Sequence, residues 1–145
     1  MLSRLGLQLN RKKTRIVRAE DGFDFLGVHF RLCATSRKDA KVRRFCSAWP
    51  SNRSMRRIKQ RIRDVIGRRY YLSLEEMIFE LNPVIRGWNN YHKAVQPDIK
   101  RFAKLNAFVR ERIRIFLKRK YSDQSRGCRR GHNRLPVRLG LCQFG

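Results

Sequence analysis

The stretch Leu81–His92, with the sequence LNPVIRGWNNYH, is the part of the chain that decides the fold. Leu81, Ile85 and Trp88 recur at intervals of four and three residues, which is the spacing of one buried face of a helix. All three are therefore predicted to be core residues. Pro83 lies inside the same stretch and supplies no backbone N–H, which predicts a kink in the helix or its division into two.

Three segments have the hydrophobic spacing of amphipathic helices and together predict a small three-helix bundle. The first follows a boundary at Trp49–Asn52 and ends near Gly67, a residue that favours a helix end. Ser73 and Glu76 have the pattern of a capping box at the start of the second, and the third follows Asp98. The positions predicted to face inward are Met55, Ile58, Ile62, Val65 and Ile66, then Leu74, Ile78, Leu81, Ile85 and Trp88, then Phe102, Leu105, Val109, Ile113 and Phe116.

Residues 1–48 carry short apolar segments that favour β-structure. Asp21-Gly22 predicts a hairpin turn between two strands, and a second strand pair is predicted around a polar turn. The predicted strands are Thr14–Val17 and Phe23–Phe30 at the hairpin, and Phe30–Cys33 and Lys41–Phe45 on either side of residues 35–39.

The predicted fold class is therefore α+β and mainly α, with a short antiparallel β element, a three-helix bundle and a basic tail. The predicted boundaries divide the chain into residues 1–48, 50–120 and 121–145. Polar residues and glycines dominate after Tyr121, so the tail is expected to be flexible unless bound. Leu135–Gly145 is mildly apolar and is a candidate to dock on a partner outside this chain.

The charge balance limits the class of partner. The chain of 145 residues has 36 Lys and Arg against 11 Asp and Glu, a formal net charge of +25. Such self-repulsion is typical of a protein that binds a polyanion, with nucleic acid as the first candidate and an anionic membrane surface as the second. The three apolar rows are suited to pack together, which favours nucleic acid. No apolar run of about 20 residues is present, so no membrane-spanning helix is expected.

The sequence contains no complete catalytic or metal-binding set. The four cysteines are Cys33, Cys46, Cys128 and Cys142. They form no CxxC pair, and the spacing of Cys128 and His132 is better explained by scattered reduced thiols than by a zinc site. Asp21 and Asp24 are a near pair of carboxylates, but turn chemistry explains them better than metal binding. No metal site is predicted.

A set of basic and aromatic side chains predicts the contacts to nucleic acid. Tyr91 and His92 are expected to escape the buried row and to be available for stacking or hydrogen bonding. The predicted contact residues are Arg57, Arg61, Arg68, Arg69, Arg86, Tyr91, His92, Arg110, Arg114 and Arg119.

Three motifs in the chain resemble one known family. Leu81–His92 closely resembles the LNPxIRGWxNYY signature of the maturase-specific domain, also called the X or thumb domain, of group II intron reverse transcriptase/maturases. Gly6–Thr14 is similar to the GLxLNxxKT element late in the reverse transcriptase palm. Phe23–Gly27 is similar to the FDFLG element that follows it. The resemblance covers roughly residues 5–120, with the motifs in the family's order.

The resemblance implies roles for particular residues. Lys13 resembles the polymerase lysine near the leaving pyrophosphate, and Phe25, Leu26 and Gly27 resemble the grip on the primer backbone. The basic helices resemble the surface that holds intron RNA and the template–primer duplex. The family's YxDD aspartates are expected upstream of residue 1. The chain is thus expected to be a C-terminal fragment that is inactive as a polymerase alone and has no cofactor, with Mg²⁺ expected only in a full-length relative.

The resulting hypothesis is a protein that binds group II intron RNA and assists its splicing, in a bacterial cytoplasm or an organelle. A separate chain carrying fingers and palm is an expected partner, and with it the chain would support RNA-templated DNA synthesis on an RNA/DNA duplex. One alternative is a stand-alone basic ribonucleoprotein structural protein. Another is a non-functional truncated remnant with non-specific affinity for nucleic acid.

Overall fold

The computed structural model describes residues 10, 15–35, 43–93, 95, 98–122 and 135–145. A three-stranded sheet is followed by three long helices and one short helix, which confirms the predicted α+β, mainly α class. The elements are β1 (Phe23–Phe25), β2 (Val28–Thr35), β3 (Arg43–Pro50), α1 (Asn52–Ile66), α2 (Leu74–His92), α3 (Ile99–Lys120) and α4 (Leu135–Arg138).

Antiparallel pairing joins the strands in the order β1, β2, β3. The tight turn between β1 and β2 consists of Leu26 and Gly27, with φ angles of 46° and 80°. Positive φ at both central residues is the requirement of a type I′ turn, whose twist suits that of the flanking strands. Gly27 adopts this conformation without steric cost. Leu26 is strained in it, because its Cβ comes close to the backbone.

The predicted hairpin turn at Asp21-Gly22 and the single strand Phe23–Phe30 are both wrong, because the chain reverses between β1 and β2. Asp21 belongs to an earlier turn, in which its N–H donates to the Arg18 carbonyl at 3.2 Å. Gly22 has a φ of 79°, and a Cβ there would lie 2.5 Å from His29 Nε2. Glycine is therefore needed at this position for backbone conformation and space, without a hairpin turn.

The other strand predictions had different outcomes. Residues 15–17 form no strand, and residue 14 lies outside the described residues, so the strand predicted at Thr14–Val17 is wrong for its described part. The second predicted strand pair is confirmed over its described part, since β2 and β3 pair with Cys33 opposite Phe45. Residues 36–42, which contain most of the predicted polar turn, lie outside the described residues.

Each long helix begins at the residue that the sequence marks as a cap. The Ser51 side chain accepts the Ser54 N–H at 3.1 Å, and Asp98 accepts the Arg101 N–H at 3.1 Å. Ser73 and Glu76 form a complete capping box at the start of α2. These bonds satisfy N–H groups that have no partner within the helix.

Helix α2 continues through Pro83 as one element, so the predicted division into two helices is wrong. Proline removes the N–H that would bond to the carbonyl of Phe79. Pro83 is exposed and the Phe79 side chain is 79% exposed. Because this side of the helix is open to water, solvent can satisfy that carbonyl at little cost.

The hydrophobic core lies between α1, α2 and α3. Most of its side chains come from the three predicted apolar rows. Leu141 and Phe144 add to it from the C-terminal segment. The buried cluster consists of Met55, Ile58, Ile62, Ile66, Leu74, Met77, Ile78, Leu81, Ile85, Leu105, Val109, Ile113, Phe116, Leu117, Leu141 and Phe144. Leu81 and Ile85 are fully buried, and Trp88 packs half-buried against the cluster.

The end of the chain is held on the bundle, in contrast to the predicted flexible tail. Leu141 and Phe144 are buried in the core, so the prediction is wrong for this segment. Asn82 donates to the Gly140 carbonyl at 3.0 Å and accepts the N–H of residue 142 at 2.8 Å. Asn106 makes the same pair of bonds with the backbone of Phe144 at 3.0 and 2.9 Å. The surface on which the segment docks is therefore supplied by this chain's own helices.

None of the helices in the described ranges is long and apolar enough to cross a membrane.

Candidate nucleic-acid interface

Ser54, in the first turn of α1, connects that helix to the C-terminal end of α2. Its hydroxyl oxygen lies 3.2 Å from Trp88 Nε1 and 2.9 Å from His92 Nε2. The indole N–H can only donate, so Ser54 accepts from Trp88. The Ser54 oxygen also has a proton and a second lone pair, so the tautomer of His92 sets the direction of its bond to Nε2. This polar junction fixes the angle at which the two helices meet.

His92 is buried at 3% exposure, and the expectation that it escapes the apolar row is wrong. The row at Leu81, Ile85 and Trp88 continues by four residues to His92, and the rings of Trp88 and His92 lie 4.3 Å apart. Burial lowers the pKa of His92 below its usual 6.5, because desolvation penalises the charged ring. Burial therefore favours the neutral form of His92, whose ring is held inside the junction between α1 and α2.

The hairpin turn packs against the helices at a place that we call the hairpin corner. The Tyr91 hydroxyl donates to the Leu26 carbonyl, and the Ser51 N–H donates to the Gly27 carbonyl at 2.9 Å. Arg53 and Arg57 also line the pocket of about 380 Å³ that these elements form. Phe25, Leu26 and Gly27, predicted from the family resemblance, thus lie beside Tyr91 and Arg57, which were predicted as contacts.

The hairpin corner contains one carboxylate beside its arginines. Asp24 also lines the pocket, and its Oδ1 lies 2.6 Å from His29 Nδ1 on the neighbouring strand. The two arginines of the corner, Arg53 and Arg57, are both exposed. The corner therefore carries two exposed guanidinium groups and one carboxylate that is engaged with a histidine.

A second, larger depression runs between α1 and the start of α3, and we call it the α1–α3 groove. It has a volume of about 550 Å³. Five cationic side chains line it, namely Arg56, Lys59, Lys100, Arg101 and Lys104, together with Asn52, Met55 and the single carboxylate of Asp98. The groove thus has a strong excess of positive charge.

The one acid of the α1–α3 groove is already used within the protein. Asp98 caps α3 and accepts from Arg101 Nε at 2.9 Å, while Arg101 Nη1 also donates to Asn52 at 2.8 Å. Arg101 is therefore held as a link between α1 and α3. Lys100 and Lys104 are exposed and lie one helical turn apart, so their ammonium groups are available to an anionic partner.

The other predicted contact residues differ in how available they are. Arg61 and Arg68 are exposed, and Arg110 is half-buried. Arg69 bonds both oxygens of Glu80 at 3.1 and 2.7 Å, which raises its pKa. The remaining three have internal partners: Arg86 donates to Cys142 Sγ at 3.2 Å, Arg114 pairs with Glu111 at 2.6 Å, and Arg119 donates to the Tyr70 hydroxyl at 3.1 Å.

Arg69 and Arg114 are thus structural ion-pair residues as well as sources of charge. The bond from Arg114 lowers the pKa of Glu111, as a favourable partner does for a carboxylate. Lys13, predicted as a polymerase lysine, lies outside the described residues. Within the described ranges, no group of three or more His, Cys, Asp or Glu side chains could hold a metal ion.

Sequence reasoning gave no role to two features of the site. Lys100 and Lys104 lie on the predicted third helix, but the groove they form with α1 depends on how the two helices pack. Asn82 and Asn106 act on backbone groups that lie 38 to 60 residues further along the chain. The only local signal for the groove was Asp98 followed by Lys100, Arg101 and Lys104.

The fold and its surface define a class: a basic helical bundle that follows a small antiparallel sheet and carries a cationic groove between two of its helices. A family model described as "Group II intron, maturase-specific domain" matches residues 55–134, which is more than half of the chain. The chain belongs to the family of group II intron maturase-specific domains, as the resemblance of Leu81–His92 indicated.

A comparison with curated proteins agrees with this family. Maturase-like protein 1 of Euglena gracilis is 33% identical over 88 residues. The match covers 61% of this chain and 18% of that protein, so it spans less than a fifth of the relative's length.

Proposed function

We propose that the chain binds group II intron RNA and assists the folding and splicing of the intron. The observation that carries the proposal is the α1–α3 groove, where five cations are accompanied by one carboxylate that already has internal partners. Lys and Arg that meet phosphates release condensed counterions, which drives association with RNA. Family membership supplies the class of RNA, and the net charge of +25 supports a polyanionic partner.

The hairpin corner extends the proposed surface. Phe25, Leu26 and Gly27 lie at a tight turn whose carbonyls are held by Tyr91 and Ser51. Arg57 is exposed beside them. A turn fixed from behind, with a guanidinium next to it, is suited to hold a nucleic-acid backbone by its shape and charge. We therefore include this corner in the RNA surface, with the role of a backbone grip.

The first experiment measures the binding of the purified chain to a group II intron RNA and to an unrelated structured RNA of equal length, over a series of salt concentrations. Both affinities should fall as salt rises, because phosphate contacts dominate. A preference for the intron that persists at high salt supports recognition of the intron. Identical curves for the two RNAs would contradict it and leave only an electrostatic affinity.

A pair of variants assigns the contacts to the groove. Lys100→Gln combined with Lys104→Gln should weaken binding to both RNAs and reduce the slope of log affinity against log salt by about 1 per lysine. The matched control, Arg43→Gln combined with Arg44→Gln, removes the same charge from the exposed end of β3. If the control weakened binding as much as the groove variant, net charge alone would explain the affinity and the groove assignment would fail.

A further inference from the structure

A separate cavity of about 400 Å³ lies between the C-terminal half of α2, the start of α3 and the last residues of the chain. We call it the Trp88 pocket. The lining residues that matter here are Arg86, Trp88, Asn89, His92, Lys93 and Phe102. It shares no lining residue with the α1–α3 groove or with the hairpin corner. Its volume is in the range of small-molecule sites.

Aromatic rings form the apolar part of the Trp88 pocket. Trp88 packs edge-to-face with Phe102 and Phe144, at centroid distances of 6.0 and 5.2 Å. The indole N–H is already bonded to Ser54. Trp88 is only half-buried, so what it offers to the pocket is apolar ring surface. Such a surface is suited to a flat heteroaromatic ligand.

Two residues that line the pocket each carry a buried polar atom without a partner among the described residues. These atoms are Asn89 Oδ1 and His92 Nδ1. The Asn89 side chain is fixed in place, because its Nδ2 donates to the Gln143 carbonyl at 2.8 Å. A buried polar atom left without a hydrogen bond is costly, and each such atom in a folded protein calls for an explanation.

The two atoms differ in hydrogen-bonding character. Asn89 Oδ1 is an acceptor, whereas His92 Nδ1 is a donor or an acceptor according to the tautomer of the ring. A partner that carries donors and acceptors on one edge would satisfy both atoms in either tautomer, and the edges of nucleobases have this arrangement.

Charge around the Trp88 pocket favours a phosphorylated ligand. Arg86 and Lys93 line the pocket and are exposed, and no Asp or Glu side chain lines it. A nucleotide presents a flat base and an anionic phosphate together, so it matches the ring surface, the polar atoms and the cations at once. A neutral peptide side chain would match the ring or the polar atoms, but it would bring no anion to Lys93 or to Arg86, whose bond to Cys142 Sγ leaves its charge unneutralised.

We propose that the Trp88 pocket binds an unpaired nucleobase, with the adjoining phosphate on Arg86 and Lys93. That the base comes from an RNA strand rests on the proposed function, which is RNA binding. The chemistry of the pocket does not depend on that function and can be measured with free nucleotides.

The first test uses the fluorescence of Trp88. The chain has two tryptophans, so Trp49→Phe leaves Trp88 as the only tryptophan, and excitation at the red edge of the absorption band avoids the tyrosines. Titration with adenosine, cytidine, guanosine and uridine 5′-monophosphates should quench the emission saturably for at least one base. Ribose 5-phosphate, which has the phosphate and sugar alone, should not. Absence of saturable quenching, or equal quenching by ribose 5-phosphate, would overturn the proposal.

A filled pocket supplies the second test. Val95 lines the pocket and lies outside the helices, and Val95→Phe adds volume there. This variant should bind the quenching nucleotide at least about tenfold more weakly. Val137→Phe, the same change at a residue that is 41% exposed on α4, is the matched control and should leave the nucleotide affinity unchanged. An unchanged affinity in Val95→Phe would place the nucleotide elsewhere and overturn the assignment.

Two RNA duplexes separate the pocket proposal from the proposed function. One carries a single unpaired nucleotide and the other is fully paired. The chain should prefer the first, and Val95→Phe should abolish that preference while it still binds both duplexes. Equal wild-type affinities would overturn the pocket proposal and leave RNA binding intact. Nucleotide quenching without any RNA binding would support the pocket as a nucleotide site and contradict the proposed function.

Discussion

The helical bundle and the sheet differ in how they are held together. The bundle buries a continuous cluster that includes Phe116 at 1% exposure, whereas Phe25 in the sheet is 59% exposed. Val28 and Pro50 are the buried residues of the described sheet. The bundle therefore has a core of its own, and the sheet is positioned by a few bonds at the hairpin corner. The residues that the family model matches, 55–134, include most of this bundle and none of the sheet.

The largest effect is expected from a phenylalanine in the bundle. Phe116→Ala should lower the free energy of unfolding by about 3–5 kcal/mol, because it removes a buried ring and leaves a cavity. Phe25→Ala, the matched change in the sheet, should cost no more than about 0.5 kcal/mol. Urea unfolding followed by circular dichroism gives both values. Similar losses in the two variants would contradict the distinction between the two regions.

The next effect concerns the junction between α1 and α2. Ser54→Ala leaves the Trp88 indole N–H and His92 Nε2 without their partner, and should cost about 1–3 kcal/mol. Ser47→Ala, at a half-buried serine in β3, is the control and should be close to neutral. Thermal unfolding of the two variants checks the difference. If Ser54→Ala were as stable as the wild type, the polar junction would not fix the helices.

A smaller effect should appear as a dependence of stability on pH. Burial lowers the pKa of His92 below 6.5, so the unfolded chain binds a proton at a higher pH than the folded chain does. The stabilisation is complete above the unfolded pKa and is lost as the pH falls through the lower folded pKa. Stability should therefore decline on acidification below about pH 6.5.

His92→Gln removes this contribution and should flatten the decline. The comparison of slopes is needed because every other ionisable group is common to the two proteins. Urea unfolding at a series of pH values measures the two slopes. Equal slopes would show that His92 does not titrate differently in the folded and unfolded chains.

The smallest effect is a gain in the sheet. Leu26 has a φ of 46°, which is unfavourable for a residue with a Cβ, and glycine accepts it readily. Leu26→Gly should stabilise the hairpin by less than about 1 kcal/mol, since glycine also has more freedom to lose on folding. Slower amide exchange in β2 would reveal the gain. Faster exchange would mean that the Leu26 side chain contributes contacts that outweigh the strain.

The helices could be predicted from the sequence because their signals are local. Apolar rows at intervals of three and four residues, and the caps Ser51, Ser73 and Asp98, depend only on near neighbours. The burial of His92 was also available, since it continues the row from Trp88 by one turn. A polar ring is costly to bury without a hydrogen-bond partner, and the partner of His92, Ser54, is 38 residues away in the chain.

The hairpin could not be placed because two turn signals compete. Asp21-Gly22 is the stronger local pattern, and Leu26 is a poor residue for positive φ. Bonds from Tyr91 and Ser51 to the carbonyls of Leu26 and Gly27 hold the turn where it is. Partners so far along the chain leave no local pattern. The α1–α3 groove could not be predicted for the same reason, because it forms only when the two helices pack together.

The bonds from Asn82 and Asn106 to residues 140–144 determine which substitutions this segment should tolerate. Asn82 and Asn106 bond to main-chain atoms, which every residue type possesses. A change of side chain at Gln143, which is exposed, should therefore leave these bonds intact, whereas replacement of either asparagine removes them. Proline should not be tolerated at positions 142 and 144, because the N–H groups there donate to Asn82 and Asn106. The segment is thus held through its backbone as well as through the buried side chains of Leu141 and Phe144.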